Sequence, residues 1–165
     1  MKEILVEVSR CVGCKSCTLA CAVEHSQSKS LFGALLERPL SRPRVFVEAA
    51  GDLKAPLQCR HCEDAPCVSV CVYGALKQEK DSGVVQQVRE KCLGCWMCVM
   101  VCPFGVIARE EERKVALKCD RCPDRDVPAC VEACPTRSLI FTEVERAEKS
   151  RRKKFLESVV LDSSQ

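Results

Sequence analysis

The chain has 165 residues, a formal charge of +3 and 47% hydrophobic residues, which suits one or two small domains. Only 4% of residues are aromatic, yet sixteen are cysteine. That balance excludes a conventional apolar core as the main source of stability, and points to a disulfide scaffold or a metal protein.

At the N-terminus, MKEILVEVSR holds neither an apolar signal core nor a twin-arginine pair. No apolar run approaches the roughly 18 residues of a membrane helix; residues 99–101 and 156–161 fall far short. A cytoplasmic protein is expected, without direct membrane insertion and at most peripheral to a membrane complex. Disulfides are rare in such a reducing compartment, so metal is the better reading of the cysteines.

In chain order, residues 4–8 read as a strand leading into Cys11, Cys14, Cys17 and Cys21, spaced C-x2-C-x2-C-x3-C. Residues 27–57 are linker-like, with Pro39, Pro43 and Pro56, although 44–49 alternate enough for an edge strand. The second group follows: Cys59, Cys62, Cys67 and Cys71, spaced C-x2-C-x4-C-x3-C. Residues 75–78 and 84–88 predict a hairpin turning through Asp81, Ser82 and Gly83. The third group, Cys92, Cys95, Cys98 and Cys102, repeats the first spacing and ends at Pro103. Residues 106–109 and 114–117 predict another hairpin around 110–113. The fourth group is Cys119, Cys122, Cys130 and Cys134, spaced C-x2-C-x7-C-x3-C and followed by Pro135. Residues 139–143 read as a strand, and 143–161 have helical composition.

This fourfold repeat is the strongest signal in the chain. The first and third groups match the cysteine run of bacterial ferredoxins, in which three thiolates bind one [4Fe–4S] cluster and the fourth reaches a neighbour. Two cysteines four apart share one face of a short helix. Structural zinc favours two C-x2-C pairs with a long loop between them, so zinc is the remote alternative. Four [4Fe–4S] clusters of about −2 each would take the holo-protein to roughly −5. The mildly basic sequence is therefore no argument for nucleic acid, and aromatic platforms for stacking bases are lacking.

The groups must work in pairs. The 20 residues between the second and third groups suit one hairpin, which favours pairing second with third and first with fourth. Pairing first with second and third with fourth is the alternative. The favoured scheme assigns one cluster to Cys11, Cys14, Cys17 and Cys134, and its neighbour to Cys119, Cys122, Cys130 and Cys21. The other two take Cys59, Cys62, Cys67 with Cys102, and Cys92, Cys95, Cys98 with Cys71. The expected fold class is α+β: two ferredoxin-like two-cluster modules with short strands, short helices and long cluster-binding loops. One module would comprise residues 1–26 plus 110–143 and the other 50–109, with an insert at 27–49 and a helical tail at 144–165.

The groups, with x4 and x7 expansions in the second and fourth, resemble the four-cluster electron-transfer subunits of hydrogenases, formate dehydrogenases and molybdopterin oxidoreductases. Those families pair first with fourth and second with third. Two stretches, CVGCKSCTLACAVEHS from Cys11 to Ser26 and QCRHCEDAPC from Gln58 to Cys67, look like the small iron–sulfur protein that accompanies nickel carbon monoxide dehydrogenase. The resemblance implies an electron carrier taking electrons from carbon monoxide dehydrogenase to a hydrogenase or a flavin-dependent NAD(P) oxidoreductase. Some relatives replace one cysteine and hold a three-iron cluster; here all sixteen are present.

An enzyme with its own substrate site is disfavoured. There is no G-x-G-x-x-G, no phosphate loop and no catalytically spaced cluster of carboxylates or histidines. His61, between Cys59 and Cys62, is read as solvated, the sharper reading being a hydrogen bond to a cluster sulfur. His25 lies one helical turn past Cys21, on the same side. Trp96 and Met97 are read as cover for the third loop, and otherwise as a partner contact. Arg151, Arg152, Lys153 and Lys154 are read as a solvated face, with Phe155, Leu156, Val159 and Val160 as a candidate docking stripe.

Overall fold

The computed structural model describes residues 2–162, the side chains of 154 and 157–162 excepted. Four two-stranded antiparallel ribbons and six helices carry the cysteine loops. The helices before the last are short, running from four to nine residues.

Strand β1 (Lys2–Val6) pairs with β8 (Leu139–Glu143), Ile4 facing Phe141 and Val6 facing Leu139. This ribbon ties the two ends of the chain together and so brings the first cysteine group to the fourth. The strand lies two residues earlier than the pattern suggests. Val8 is drawn into a 3-10 turn, Val8–Arg10, closed by the Cys11 N–H donating to the Val8 carbonyl at 2.9 Å. That turn aims the chain into its first cysteine loop.

Helix α1 (Ser16–Glu24) carries Cys17 and Cys21. Residues 27–57, read as a linker, are instead ordered structure. They contain α2 (Leu31–Leu36), capped by the Ser30 side chain, and a hairpin of β2 (Val45–Ala50) and β3 (Leu53–Gln58). The second strand escapes sequence reading because it holds Pro56, opposite Val47. Proline is tolerated there because both strands of a two-stranded ribbon are edges.

Helix α3 (Pro66–Ser69) carries Cys67, and α4 (Met97–Val101) carries Cys98. Between them β4 (Leu76–Gln78) pairs with β5 (Val85–Gln87), followed by a second 3-10 turn, Arg89–Lys91. Strand β6 (Ala108–Glu110) pairs with β7 (Val115–Leu117). Strand β6 starts two residues later than predicted, because Val106 and Ile107 are buried, Ile107 within the second core, rather than paired. Helix α5 (Ala129–Glu132) carries Cys130. Only in α1 do the third and fourth cysteines share one helix; α3 and α5 end before Cys71 and Cys134, and Cys102 caps α4. Helix α6 (Val144–Asp162) closes the chain.

There are two cores. The first gathers Ile4, Val45 and Leu139 with Cys17, Cys21 and Cys130. The second gathers Leu76, Val85 and Ile107 with Ala65, Cys67 and Ala116. Half of the first core is cysteine, so the metal ligands are also its packing. This is the α+β architecture of short elements and long cysteine loops expected from the sequence.

On α6, Arg151, Arg152 and Lys153 are exposed, and Arg152 pairs with Glu148 at 3.5 Å. Phe155 and Leu156 are also exposed, while the side chains of Lys154, Val159 and Val160 lie outside the described residues. Among the described residues, no helix is long and apolar enough to cross a membrane.

Candidate metal centres

The cysteine loops bend by left-handed turns at repeated positions. In the first and third groups Gly13 and Gly94 precede the second cysteine with φ of +70° and +66°, and Lys15 and Trp96 follow it at +60° and +64°. In the second and fourth groups His61 and Arg121 precede the second cysteine at +46° and +65°. Residues with a Cβ adopt this region at a cost of about 1–3 kcal/mol each. Their recurrence beside cysteine is the geometry of an anion-binding nest, in which successive N–H groups converge on one concavity. A Cβ on Gly94 would stand 2.4 Å from the Lys114 carbonyl oxygen, so only glycine fits there.

Backbone N–H groups also reach individual sulfurs. His61 donates to Cys59 Sγ at 3.4 Å and Arg121 to Cys119 Sγ at 3.4 Å. Arg44 donates to Cys21 Sγ and Ser138 to Cys134 Sγ, both at 3.2 Å. Such bonds stabilise thiolate sulfur and tune a metal bound to it.

Cysteines of different groups come close to one another. Cys134 sits within electrostatic reach of Cys14 and Cys17, with Cys11 opening the same loop. Cys21 sits among Cys119, Cys122 and Cys130. Cys67 has Cys59, Cys62 and Cys102 within electrostatic reach, and Cys98 has Cys92, Cys95, Cys71 and also Cys67. Burial and the crowding of neighbouring thiols push Cys98 up to about 11. Burial, with Asp120 and Cys21 nearby, takes Cys122 to about 11 and Cys119 to about 12. Burial raises Cys130 further still. At neutral pH such groups become thiolates only beside a strong positive charge. Iron supplies it, and metal binding releases the protons. All sixteen cysteines are free of disulfides.

Exposure differs along the set. Cys14 and Cys95 are exposed, whereas Cys17, Cys21, Cys67, Cys122 and Cys130 are buried. Trp96 is half-buried and Met97 is 49% exposed, and both line an apolar cavity with Cys71, Cys92, Cys95 and Cys98.

Between the two cores lies a polar seam that the sequence did not advertise. Lys118 is 2% exposed. Its Nζ donates to the Val85 and Cys119 carbonyls at 2.7 Å each and lies 3.3 Å from His61 Nδ1. Two of the three ammonium N–H groups thus have carbonyl acceptors, and the third lies within reach of Nδ1. His61 is buried, not solvated. Burial, and then the Lys118 and Arg121 charges, push its pKa down to about 2. The imidazole is neutral.

His25 is placed as its helical spacing suggests. Its Nδ1 donates to the Cys21 carbonyl at 2.7 Å and lies 3.6 Å from Cys21 Sγ, while Nε2 meets Asp120 Oδ1 at 3.2 Å. Burial would lower its pKa, but the hydrogen bonds to Asp120 and Cys21 outweigh that and raise it to about 9. Asp120 also accepts from Arg44 Nη1 and from the Cys122 N–H. Burial would raise the carboxyl, yet the His25 hydrogen bond and the Arg44 charge hold it well below the usual carboxylate range. His25, Asp120 and Cys122 lie close enough to share an ion. The carboxylate is already engaged by three donors, so the group braces the cysteine loop. Arg44, Lys118 and Asp120 were not singled out from sequence. The one local signal was Asp120 lying between two cysteines.

A chain of these features belongs to the iron–sulfur electron carriers, and comparison with known proteins agrees. The 4Fe-4S dicluster domain model matches residues 53–144, and the chain belongs to that family. It is 40% identical over 158 residues to an iron–sulfur protein of Rhodospirillum rubrum, covering 86% of this chain and 82% of that one. It is 36% identical over 170 residues to the electron transport protein HydN of Escherichia coli, covering 90% and 95%. It is 35% identical over 161 residues to the thiosulfate reductase electron transfer subunit PhsB of Salmonella typhi, covering 90% and 79%. The protein is therefore an electron-transfer iron–sulfur protein, and its sixteen cysteines carry four [4Fe–4S] clusters. The zinc and disulfide readings fall.

Proposed function

We propose that this chain is a non-catalytic relay, taking electrons from carbon monoxide dehydrogenase and handing them to a hydrogenase or a flavin-dependent NAD(P) oxidoreductase. The observation that carries the relay is the closeness of Cys21 to Cys119, Cys122 and Cys130, and of Cys134 to Cys14 and Cys17. The proposed ligand sets are Cys11, Cys14, Cys17 with Cys134; Cys119, Cys122, Cys130 with Cys21; Cys59, Cys62, Cys67 with Cys102; and Cys92, Cys95, Cys98 with Cys71. When bound, each [4Fe–4S] cluster accepts and returns an electron.

The rest is the work of the chain. The β1–β8 ribbon holds the first and fourth groups together, and the Lys118 seam joins the fourth to the second. This supports a row running first, fourth, second, third. Its two ends carry the exposed thiols, Cys14 and Cys95, as an entry and an exit require. We take the chain as two modules, with 1–26 and 110–143 in one and 50–109 in the other. The β6–β7 hairpin shares the second core through Ala116, and β2 the first through Val45.

Carbon monoxide dehydrogenase as donor rests on the Cys11-to-Ser26 stretch. The likeness to HydN and PhsB favours a second reading, a subunit of a hydrogenase, formate dehydrogenase or molybdopterin oxidoreductase. Anaerobic mixing separates the two. With carbon monoxide and a catalytic amount of the dehydrogenase, the cluster absorption should bleach within seconds. No bleaching there, with rapid bleaching by hydrogen and hydrogenase or by formate and its dehydrogenase, would overturn the assignment.

A further inference from the structure

We propose that His61 Nε2–H donates a hydrogen bond to a sulfur of the cluster held by Cys59, Cys62, Cys67 and Cys102, and thereby raises that cluster's potential. The inference rests on the ligand reading just given. It is carried by the hydrogen bonds of the ring. Nδ1 accepts from the Val85 N–H at 3.0 Å and faces the Lys118 ammonium at 3.3 Å. A nitrogen facing two donors must present its lone pair, so the ring proton sits on Nε2. Nε2 is buried and has no hydrogen-bond partner among the described residues. A buried donor left unpaired costs about 1–3 kcal/mol.

The surroundings say what the partner is. His61 lines a cavity with Cys59, Cys62, Cys67 and Cys102. The other lining side chains are apolar, such as Ala65, Val106 and Ile107, or can only donate, as Arg60 does. Among these side chains sulfur is the one acceptor on offer. Donation to sulfur stabilises the extra negative charge of the reduced cluster, so reduction becomes easier. Lys118 is a positioning residue in this arrangement, because it fixes the tautomer.

The test uses the anaerobic four-cluster protein and His61→Leu and His61→Gln variants. Glutamine can place an N–H donor near the Nε2 position; leucine cannot. Redox titration followed by low-temperature paramagnetic resonance should show one cluster in His61→Leu shifted about tenfold toward the oxidised form, which is about 59 mV for a one-electron couple. Three clusters should stay put, and His61→Gln should recover most of the shift. In wild-type protein with isotope-labelled histidine, hyperfine spectroscopy should detect a histidine nitrogen and an exchangeable proton coupled to that cluster, both lost in His61→Leu. Four intact clusters with no such coupling, or equal shifts in all four, would overturn the proposal. Coupling that survives Cys102→Ala, with an intact four-iron cluster still bound by Cys59, Cys62 and Cys67, would instead leave His61 as donor and refute the ligand set.

Discussion

Stripping the iron from this protein is expected to unfold it. Each core has only three large aliphatic side chains among its buried residues, completed by three cysteines in the first and by one cysteine and two alanines in the second. Residues such as Lys15, His61, Trp96 and Arg121 are held in left-handed conformations, which cost energy unless the surrounding loop is held closed. For comparison, a single structural zinc supplies about 10–16 kcal/mol of folding free energy at neutral pH. An ordinary domain has a net stability of only about 5–15 kcal/mol. Losing four clusters should therefore remove more than the fold can spare. Circular dichroism of chelated, oxidised protein should lose its strand and helix signals, except for helix that α6 retains by itself. A native-like spectrum would contradict this.

The second large effect concerns cysteines that serve the neighbouring loop. Cys21 belongs by sequence to the first group, but its thiol sits among Cys119, Cys122 and Cys130. Cys21→Ser should therefore abolish the paramagnetic signal that Cys119→Ser abolishes, and spare the one that Cys14→Ser abolishes. Iron should fall from about 16 atoms per chain toward about 12, one cube of four. Cys134→Ser should do the reverse. If Cys21→Ser matched Cys14→Ser instead, each group would bind its own cluster and the crossing-over would be wrong.

Much of this was legible in the sequence because cysteine spacing encodes loop geometry directly. The C-x2-C-x2-C-x3-C runs, the hairpin through Asp81–Gly83 and the strand Leu139–Glu143 all stand where the pattern puts them. What stayed hidden was tertiary. Pro56 disguised β3, since proline in a strand is acceptable only once the strand is known to be an edge. His61 looked solvated because nothing local announces that Lys118 and Val85 will close over it. Arg44 looked like part of a linker, yet its N–H meets Cys21 and its guanidinium meets Asp120. Buried polar seams arise where distant segments meet, and a linear pattern has no period that records them.

The most direct measurement is quantitative iron and acid-labile sulfide analysis, joined to Mössbauer spectroscopy of iron-labelled, anaerobically purified protein before and after reduction. Four [4Fe–4S] clusters predict about 16 iron and 16 sulfide per chain, with spectra of oxidised cubes that become reduced. A folded, colourless protein holding zinc and no sulfide, or one whose clusters accept no electrons, would contradict the account.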